Sequence, residues 1–162
     1  MSGIESEALL ARIADQEREL AVFGFSAEDA LRLGEIVTEL ARAASLPVAV
    51  NVTRGAQQAY HAGLPGSTSD NDDWIARKIE TTRRFGASSL AVRLRSESRP
   101  GGFDWLDPKV YAISGGCVPI LLGDGALVGT ITVSGLPDTE DHELAIAALR
   151  QLLGRPEHPN EG

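Results

Sequence analysis

Apolar residues recur at helical spacing in the first third of the chain. Between Ile4 and Leu20 they stand among charged residues, as in a short amphipathic helix. Ser26 and Asp29 form a capping-box pattern at the start of a second apolar stripe, which runs to about Ala44. The sequence therefore predicts two helices before the first strand.

Two later segments alternate apolar and polar residues as β-hairpins do. Residues 47–53 read PVAVNVT, and Gly55 separates them from the run AQQAYHA. Near the C-terminal end, the runs CVPILL and ALVGTITVS flank an Asp-Gly turn at residues 123–125. Each pair of runs predicts a hairpin.

The middle of the chain is predicted to contain a helix followed by a single strand. Asp70 or Asn71 can cap a helix from about Asp72 to Phe85, which Gly86 ends. Over residues 88–96, leucine and valine alternate with alanine and arginine, which predicts a strand with one core face and one cationic face.

The remaining segments complete the predicted order of elements. Residues 97–110 are rich in glycine and proline and predict an irregular excursion. Pro137-Asp138 begins a final helix that stops at Gly154, and residues 155–162 are expected to form a flexible tail. Because few helices separate the strands, the order indicates an α/β fold of the α+β kind, with a mainly antiparallel sheet covered by helices. A single domain over residues 1–154 is expected, with residues 1–22 as an N-terminal helix.

Charge limits the classes of partner. The chain has 162 residues, a formal net charge of −8 and a pI near 4.8, which disfavours nucleic acid and anionic membrane surfaces. Between Arg77 and Arg99, however, basic residues outnumber acidic ones. This stretch either faces an anionic ligand or a neighbouring subunit, or forms solvated faces of a helix and a strand.

Cysteine content and hydropathy indicate the compartment. Cys117 is the single cysteine, so no disulfide framework and no cysteine zinc cluster can form within the chain. The N-terminal segment is acidic, and no run approaches the roughly 20 apolar residues that cross a bilayer. A cytoplasmic location is therefore expected.

Several separated motifs resemble one known family. The segment 115–142, GGCVPILLGDGALVGTITVSGLPDTEDH, resembles the diagnostic stretch of GlcG/HbpS-like proteins, the heme-degrading-domain superfamily. Upstream, LPGSTSDNDDWIARK and the following RFGASS resemble the uncharacterised-protein branch of that family. The resemblance covers about residues 26–153. The matched positions of the C-terminal stretch are Gly115, Gly116, Pro119, Ile120, Gly125, Gly129, Val133, Ser134, Gly135 and Asp141.

The resemblance implies a profilin-like fold, in which a five-stranded antiparallel sheet lies between helices, and it implies assembly into homo-oligomers. Some relatives are linked to heme binding or degradation, and others to glycolate, propanediol or corrinoid metabolism. Here Leu136-Pro137 stands where many relatives continue with another glycine, and Trp74 and Arg77 are features of the branch. These departures argue against a direct transfer of heme chemistry.

One ligand site is expected in the middle and C-terminal thirds. Lys78 matches a helical lysine of the family, and a helix with one aromatic and two cationic side chains suits a carboxylate or phosphate. His142, in the first turn of the last helix, can bind a ligand or act as a base, or it can be a structural helix-start residue. Lys78 and His142 are expected to border one cleft. The candidate ligand-binding residues are Asn71, Trp74, Arg77, Lys78, His61, Gly115, Gly116, Ser134, Asp141 and His142.

Other chemistries have weaker support. Ser134 lacks the strand-turn-helix surroundings of a nucleophile elbow, and Cys117 lies in an apolar strand that suits a core thiol. Gly115-Gly116 either lets the backbone approach a ligand or simply forms a turn. The two candidate histidines, without a third ligand nearby or a CxxCH motif, do not indicate a metal centre, although heme stays possible as a cofactor.

Three functional hypotheses follow. The first is a small-molecule-binding or sensory module for an anionic metabolite or a tetrapyrrole. The second is an enzyme that degrades heme or acts on a small organic acid. The third is an interaction protein that assembles with itself, for which Phe103 and Trp105 offer aromatic side chains of the kind enriched at interfaces.

Overall fold

The structure is a computed structural model, and it describes residues 1–155. The tail predicted for residues 155–162 lies, apart from its first residue, outside the described part of the chain. The elements in chain order are α1 (Gly3–Glu19), α2 (Ala27–Ala43), β1 (Ala49–Arg54), β2 (Gln57–Gly63), α3 (Ser69–Phe85), α4 (Ser89–Glu97), β3 (Cys117–Leu121), β4 (Leu127–Ser134) and α5 (Asp138–Leu152).

The strands form one antiparallel sheet in the order β2-β1-β4-β3. The two predicted hairpins are its halves, and they join where β1 pairs with β4, for example at Val52 and Ile131. Five strands were expected, whereas the sheet within residues 1–155 has four. Beside the β3 end, Val22 makes an isolated bridge to Leu122, which extends that edge by one residue.

One face of the sheet is apolar and packs against α2 and α5. Strand residues such as Val50, Val52 and Val133 lie in a buried cluster with helix residues such as Leu33 and Leu149. Burying a side chain of this size contributes about 1.5–3 kcal/mol, so this layer holds most of the hydrophobic stabilisation. The apolar stripe predicted for the second helix is the surface of α2 that packs in this layer.

The opposite face of the sheet packs against α3 and is mostly polar. Because side chains alternate along a strand, the neighbours of the core valines point to this side. They are buried nonetheless, and the hydroxyls of Thr53 and Thr130 form a hydrogen bond with an oxygen–oxygen distance of 2.6 Å. The buried polar residues of this face are Asn51, Thr53, Thr130, Thr132 and Ser134.

Residues 88–96 were predicted as a strand, and this prediction is wrong. Residues 89–96 lie in α4, and Ser88 is its N-cap, whose hydroxyl accepts a hydrogen bond from the backbone N–H of Ala91 at 3.2 Å. Leu90 and Leu94 are one turn apart and both pack into an apolar cluster. Short apolar runs fit either period, and here leucine, alanine and arginine favour the helix while Ser88 supplies its start.

The start of α3 also differs from the prediction. Thr68 is the N-cap, and neither Asp70 nor Asn71 takes that place. Asn71 instead is the third residue of the capping box, since its Oδ1 accepts the backbone N–H of Thr68 at 2.9 Å. The end of the helix agrees with the sequence: Gly86 adopts a left-handed φ of 63°, a conformation that glycine adopts without steric cost.

Helix α1 packs against α4, beside the main apolar layer of the sheet. Ile13 lies in the apolar cluster of α4, together with Phe103 from the irregular excursion. No helix within residues 1–155 is long and apolar enough to cross a membrane.

Candidate functional site

The polar face of the sheet opens into a groove between the β1–β2 hairpin and α3, called here the α3 groove. Its volume is about 410 Å³, which is in the range of small-molecule sites. The strands supply polar groups, and α3 supplies both apolar and charged ones. The lining residues are Asn51, Thr53, Ala56, Gln58, His61, Asp72, Ile75, Ala76, Ile79, Glu80 and Arg83.

A chain of hydrogen bonds closes one end of the α3 groove. The amide nitrogen of Asn51 lies 2.9 Å from Gln58 Oε1 and 3.3 Å from His61 Nδ1. The other ring nitrogen of His61, Nε2, lies 2.9 Å from Asp72 Oδ1. With Asn51 donating to Nδ1, the ring carries its proton on Nε2 and donates it to Asp72. The histidine thereby ties the hairpin to the first turn of α3.

The same arrangement leaves one buried acceptor without a partner. Asn51 is only 3 % exposed, and its Oδ1 accepts no hydrogen bond. Turning the amide over would not help, because Oδ1 would then face Gln58 Oε1. An unpaired buried polar atom costs about 1–3 kcal/mol, so Oδ1 would gain from a donor placed in the groove.

The other end of the α3 groove is bounded by a cation. Arg83 donates from Nη1 to Glu80 Oε1 at 3.2 Å and from Nη2 to the Gly55 carbonyl at 3.3 Å. Between the two ends, Ile75, Ala76 and Ile79 form an apolar wall. From Asp72 to Arg83 the helix advances about 16 Å, so the groove is elongated.

Lys78 lies on α3 but outside this groove, in a buried junction with α5. Its Nζ donates to the Val133 carbonyl at 3.0 Å and to Asp141 Oδ2 at 3.1 Å, and Lys78 is 2 % exposed. Asp141 Oδ1 also accepts the backbone N–H of Leu136 at 2.9 Å. Burial raises the pKa of the Asp141 carboxyl, although Lys78 and that N–H act in the opposite direction. We call these residues the Lys78 junction.

The glycine pair borders the Lys78 junction and gives it room. A Cβ at Gly116, where φ is 138°, would lie 2.7 Å from Lys78 Nζ and 2.4 Å from the Val133 carbonyl oxygen. A Cβ at Gly115 would lie 2.6 Å from the Asp138 carbonyl oxygen, and the Gly115 N–H donates to Asp138 Oδ2 at 2.9 Å. Close packing of the backbone against neighbouring groups therefore explains both glycines without a ligand.

Asn71 and Ser134 meet beside the same end of the sheet. The Asn71 amide nitrogen lies 3.4 Å from the Ser134 hydroxyl, a long hydrogen bond that connects α3 to β4. Two further candidates, Trp74 and Arg77, form a cation–π pair with the guanidinium 4.2 Å from the ring centroid. Arg77 also binds Asp73 at 2.9 Å, so its charge is already paired.

His142 lies elsewhere, under α1. Its Nε2 is 3.1 Å from Gln16 Oε1, its Nδ1 has no partner, and the residue is 1 % exposed. Burial lowers the pKa of the imidazole to about 4, which keeps it neutral at physiological pH. Lys78 and His142 were expected to border one cleft. That prediction is wrong, because both side chains are buried and each contacts a different neighbour.

The structure therefore divides the candidate residues into separate groups. Asn71, Lys78, Gly116, Ser134 and Asp141 lie at or beside the Lys78 junction, while His61 alone lines the α3 groove.

Sequence reasoning missed most of the residues that line the groove. Asn51 was interpreted only as part of an alternating strand. The available indication of its position was that its side chain points away from the face of the strand that carries the three core valines. Asp72 and Arg83 were counted as the start of a helix and as part of a basic stretch. No pattern placed them opposite the hairpin.

The comparisons with known proteins identify the family. A family model described as "Haem degrading protein HbpS-like" matches residues 25–150. The chain is 46 % identical over 144 residues to a UPF0303 protein of Streptomyces avermitilis, covering 87 % of this chain and 88 % of that one. The chain belongs to the HbpS-like family, and the resemblance found in the sequence is confirmed.

Solved structures agree on the fold. The chain is similar to the Ybr137w protein, with a TM-score of 0.82, 29 % identity and coverage of 90 % of this chain and 88 % of the other. It is also similar to a protein solved as a PduOC:heme complex, with a TM-score of 0.64, 20 % identity and coverage of 77 % and 94 %. At that identity the second likeness shows the fold alone.

Neither candidate histidine offers an accessible free ring nitrogen to a heme iron. Both ring nitrogens of His61 are engaged, and the unpaired Nδ1 of His142 belongs to a residue that is 1 % exposed. A porphyrin in the α3 groove would also cover Asn51 Oδ1 without giving it a donor. Among the described residues, no group of three or more His, Cys, Asp or Glu side chains could hold a metal ion.

Proposed function

We propose that the protein is a small-molecule-binding module, and that its ligand lies in the α3 groove and donates a hydrogen bond to Asn51 Oδ1. The observation that carries this proposal is the unpartnered carbonyl of a residue that is 3 % exposed and lines the groove. Buried acceptors are normally paired, and a ligand donor would remove the cost of this one.

The chemistry of the groove favours a ligand that donates hydrogen bonds over an anion. Lys78, the cation expected to hold a carboxylate, is neutralised by Asp141 and lies outside the groove. The groove itself carries the carboxylates of Asp72 and Glu80 against the single guanidinium of Arg83. An anionic ligand would meet repulsion from both carboxylates.

Native mass spectrometry of the purified protein tests the proposal, followed by affinity measurements on any retained molecule. Asn51→Ala should weaken binding at least tenfold, which is about 1.4 kcal/mol. Gln57→Ala is the matched control, since Gln57 is exposed on the same hairpin and does not line the groove. Equal affinity in Asn51→Ala and the wild type would remove the proposal.

Heme provides a separate arm of the same test. Titration with hemin should give no Soret shift that depends on His61, because that ring is already held by Asn51 and Asp72. A stoichiometric Soret band that disappears in His61→Ala would place heme in the groove and would overturn the choice of ligand class.

Self-association is a further part of the proposal. Trp105 is 61 % exposed and lies under the Arg84 guanidinium, 5.0 Å from the ring centroid, whereas Phe103 is buried within the chain. Of the two aromatics expected at an interface, only Trp105 is available. Sedimentation velocity at micromolar concentration should show a dimer or larger species that Trp105→Ala weakens, and a wild-type monomer would contradict this.

A further inference from the structure

The acceptors of the α3 groove are arranged along an apolar wall. Asp72 and Glu80 lie on the same side of α3, and Ile75, Ala76 and Ile79 lie between them. Eight residues of helix separate the two carboxylates by roughly 12 Å along the axis. A ligand that follows this wall meets a carboxylate at each end and hydrocarbon in between.

Each carboxylate retains an oxygen for a ligand. Asp72 uses Oδ1 for His61, and Glu80 uses Oε1 for Arg83, so that Oδ2 and Oε2 have no hydrogen-bond partner within residues 1–155. Asn51 and Asp72 both hydrogen-bond the ring of His61, so the unpaired Asn51 carbonyl belongs to the Asp72 end of the groove. This end therefore presents two kinds of acceptor.

An ammonium group matches these acceptors better than a hydroxyl does. It carries three N–H donors and a positive charge, and hydrogen bonds between charged partners are about twice as strong as neutral ones. Arg83 opposes a cation only at the Glu80 end, where Glu80 already binds its guanidinium. The hydrocarbon wall in turn suits methylene groups.

We infer that the α3 groove binds an aliphatic amine, with an ammonium group at the Asp72 end and its hydrocarbon chain along Ile75, Ala76 and Ile79. A second ammonium group reaches Glu80 when the chain is long enough. This inference rests on the proposed function, because it uses the same groove and the same Asn51 carbonyl. It names the ligand class that the proposed function leaves open.

Three probes that share one eight-carbon chain separate charge from hydrogen-bond donation. These are 1,8-diaminooctane, 1,8-octanediol and octanedioate, each titrated by calorimetry into the full-length protein at 0.15 M salt to screen long-range attraction. We expect the diamine to bind at least tenfold more tightly than the diol, and octanedioate to bind more weakly than either.

Two isosteric substitutions then locate the charge. Asp72→Asn keeps an oxygen for His61, and Glu80→Gln keeps one for Arg83, so both variants should fold. Asp72→Asn should lower the affinity for the diamine about tenfold and leave that for the diol unchanged, and Glu80→Gln should have a smaller effect. Asp73→Asn is the control: it removes the same charge one residue away, where Asp73 binds Arg77 outside the groove.

The outcomes separate this inference from the proposed function. Equal affinities for diamine and diol, or an equal loss in Asp72→Asn and Asp73→Asn, would overturn the amine and leave the donor ligand standing. Tightest binding of octanedioate would also overturn it. If none of the probes binds while a retained molecule depends on Asn51, the amine is overturned and the proposed function is kept.

Discussion

Two polar clusters beside α3, the Lys78 junction and the α3 groove, differ in whether their buried polar atoms are paired. In the Lys78 junction, Lys78 and Asp141 are both buried, and each oxygen of Asp141 accepts a hydrogen bond. In the α3 groove, Asn51 is equally buried but its carbonyl accepts none. Both clusters look like sites when only residue types are considered. The pairing of the atoms distinguishes them.

The difference shows how to read buried polar residues in a fold whose site is not known. A cluster that satisfies itself has no need of a ligand, and its contribution is to hold elements together. A cluster with a buried unsatisfied atom beside a cavity has a reason to bind something. By this criterion Lys78, the strongest candidate from the sequence, is structural, and Asn51 is the better candidate.

The largest expected effect comes from breaking the Lys78 junction. Lys78→Met leaves the Asp141 carboxylate buried without its cation, which should cost about 3–5 kcal/mol of the free energy of unfolding. Urea denaturation measures this loss.

The double variant Lys78→Met/Asp141→Leu is the control for that experiment, because removing both charges should restore much of the stability. An unchanged denaturation midpoint in Lys78→Met, together with weaker ligand binding, would mean that the lysine belongs to the site after all.

The second largest effect is expected at His142, whose Nδ1 is unpaired but does not line the α3 groove. The pKa of His142 is about 4, below the usual 6.5, so the unfolded chain takes up a proton at this residue between these pH values and the folded chain does not. Stability should therefore fall as pH falls from 6.5 to 4, by about 3 kcal/mol at most from this group.

Comparing denaturation at pH 7 and pH 4.5 in the wild type and His142→Gln isolates that contribution. The variant should lose less stability on acidification, since glutamine does not titrate. A pH dependence of stability that is the same in the wild type and in His142→Gln would refute the assignment.

The smallest expected effect is that of Asn51→Ala on stability. The substitution removes the unpaired carbonyl, and the groups it releases, Gln58 and His61, are exposed and can be hydrated. We expect a change of about 1 kcal/mol or less in the free energy of unfolding. A loss as large as that of Lys78→Met would show that Asn51 is structural, and the contrast between the two clusters would no longer hold.

Most elements of the fold could be predicted because their signals are local. The capping box at Ser26 and the left-handed glycine at Gly86 mark helix ends independently of tertiary structure. The segment 88–96 could not be assigned in the same way, since its apolar residues fit both periods and its burial on nearly all sides comes from α1, α3, α5, β3 and the excursion. Its cap, Ser88, and its helix-favouring leucine, alanine and arginine residues were the local indications.

The site was harder to predict because it depends on contacts across the sheet. His61 was identified, but Asp72, eleven positions later, joins it only because α3 folds back over the hairpin. Lys78 and Asp141 were both selected as candidates, and the sequence could not show that they bind each other. Residue type indicates that a group is polar, whereas only the fold shows whether it is already paired.

Gly34 of α2 lets the β1–β2 hairpin pack closely on the face of the sheet opposite the groove. The ring of Tyr60 from β2 lies against the backbone of α2 so closely that a Cβ at Gly34 would be 2.1 Å from its Cγ, and Thr38 binds the Tyr60 hydroxyl at 2.9 Å. The hairpin is thus fastened to α2 from behind while its other surface forms a wall of the binding site. A larger residue at position 34 would push Tyr60, and with it the hairpin, away from α2 and toward α3. The space beside α3 that a ligand can occupy therefore depends in part on the absence of a Cβ at Gly34.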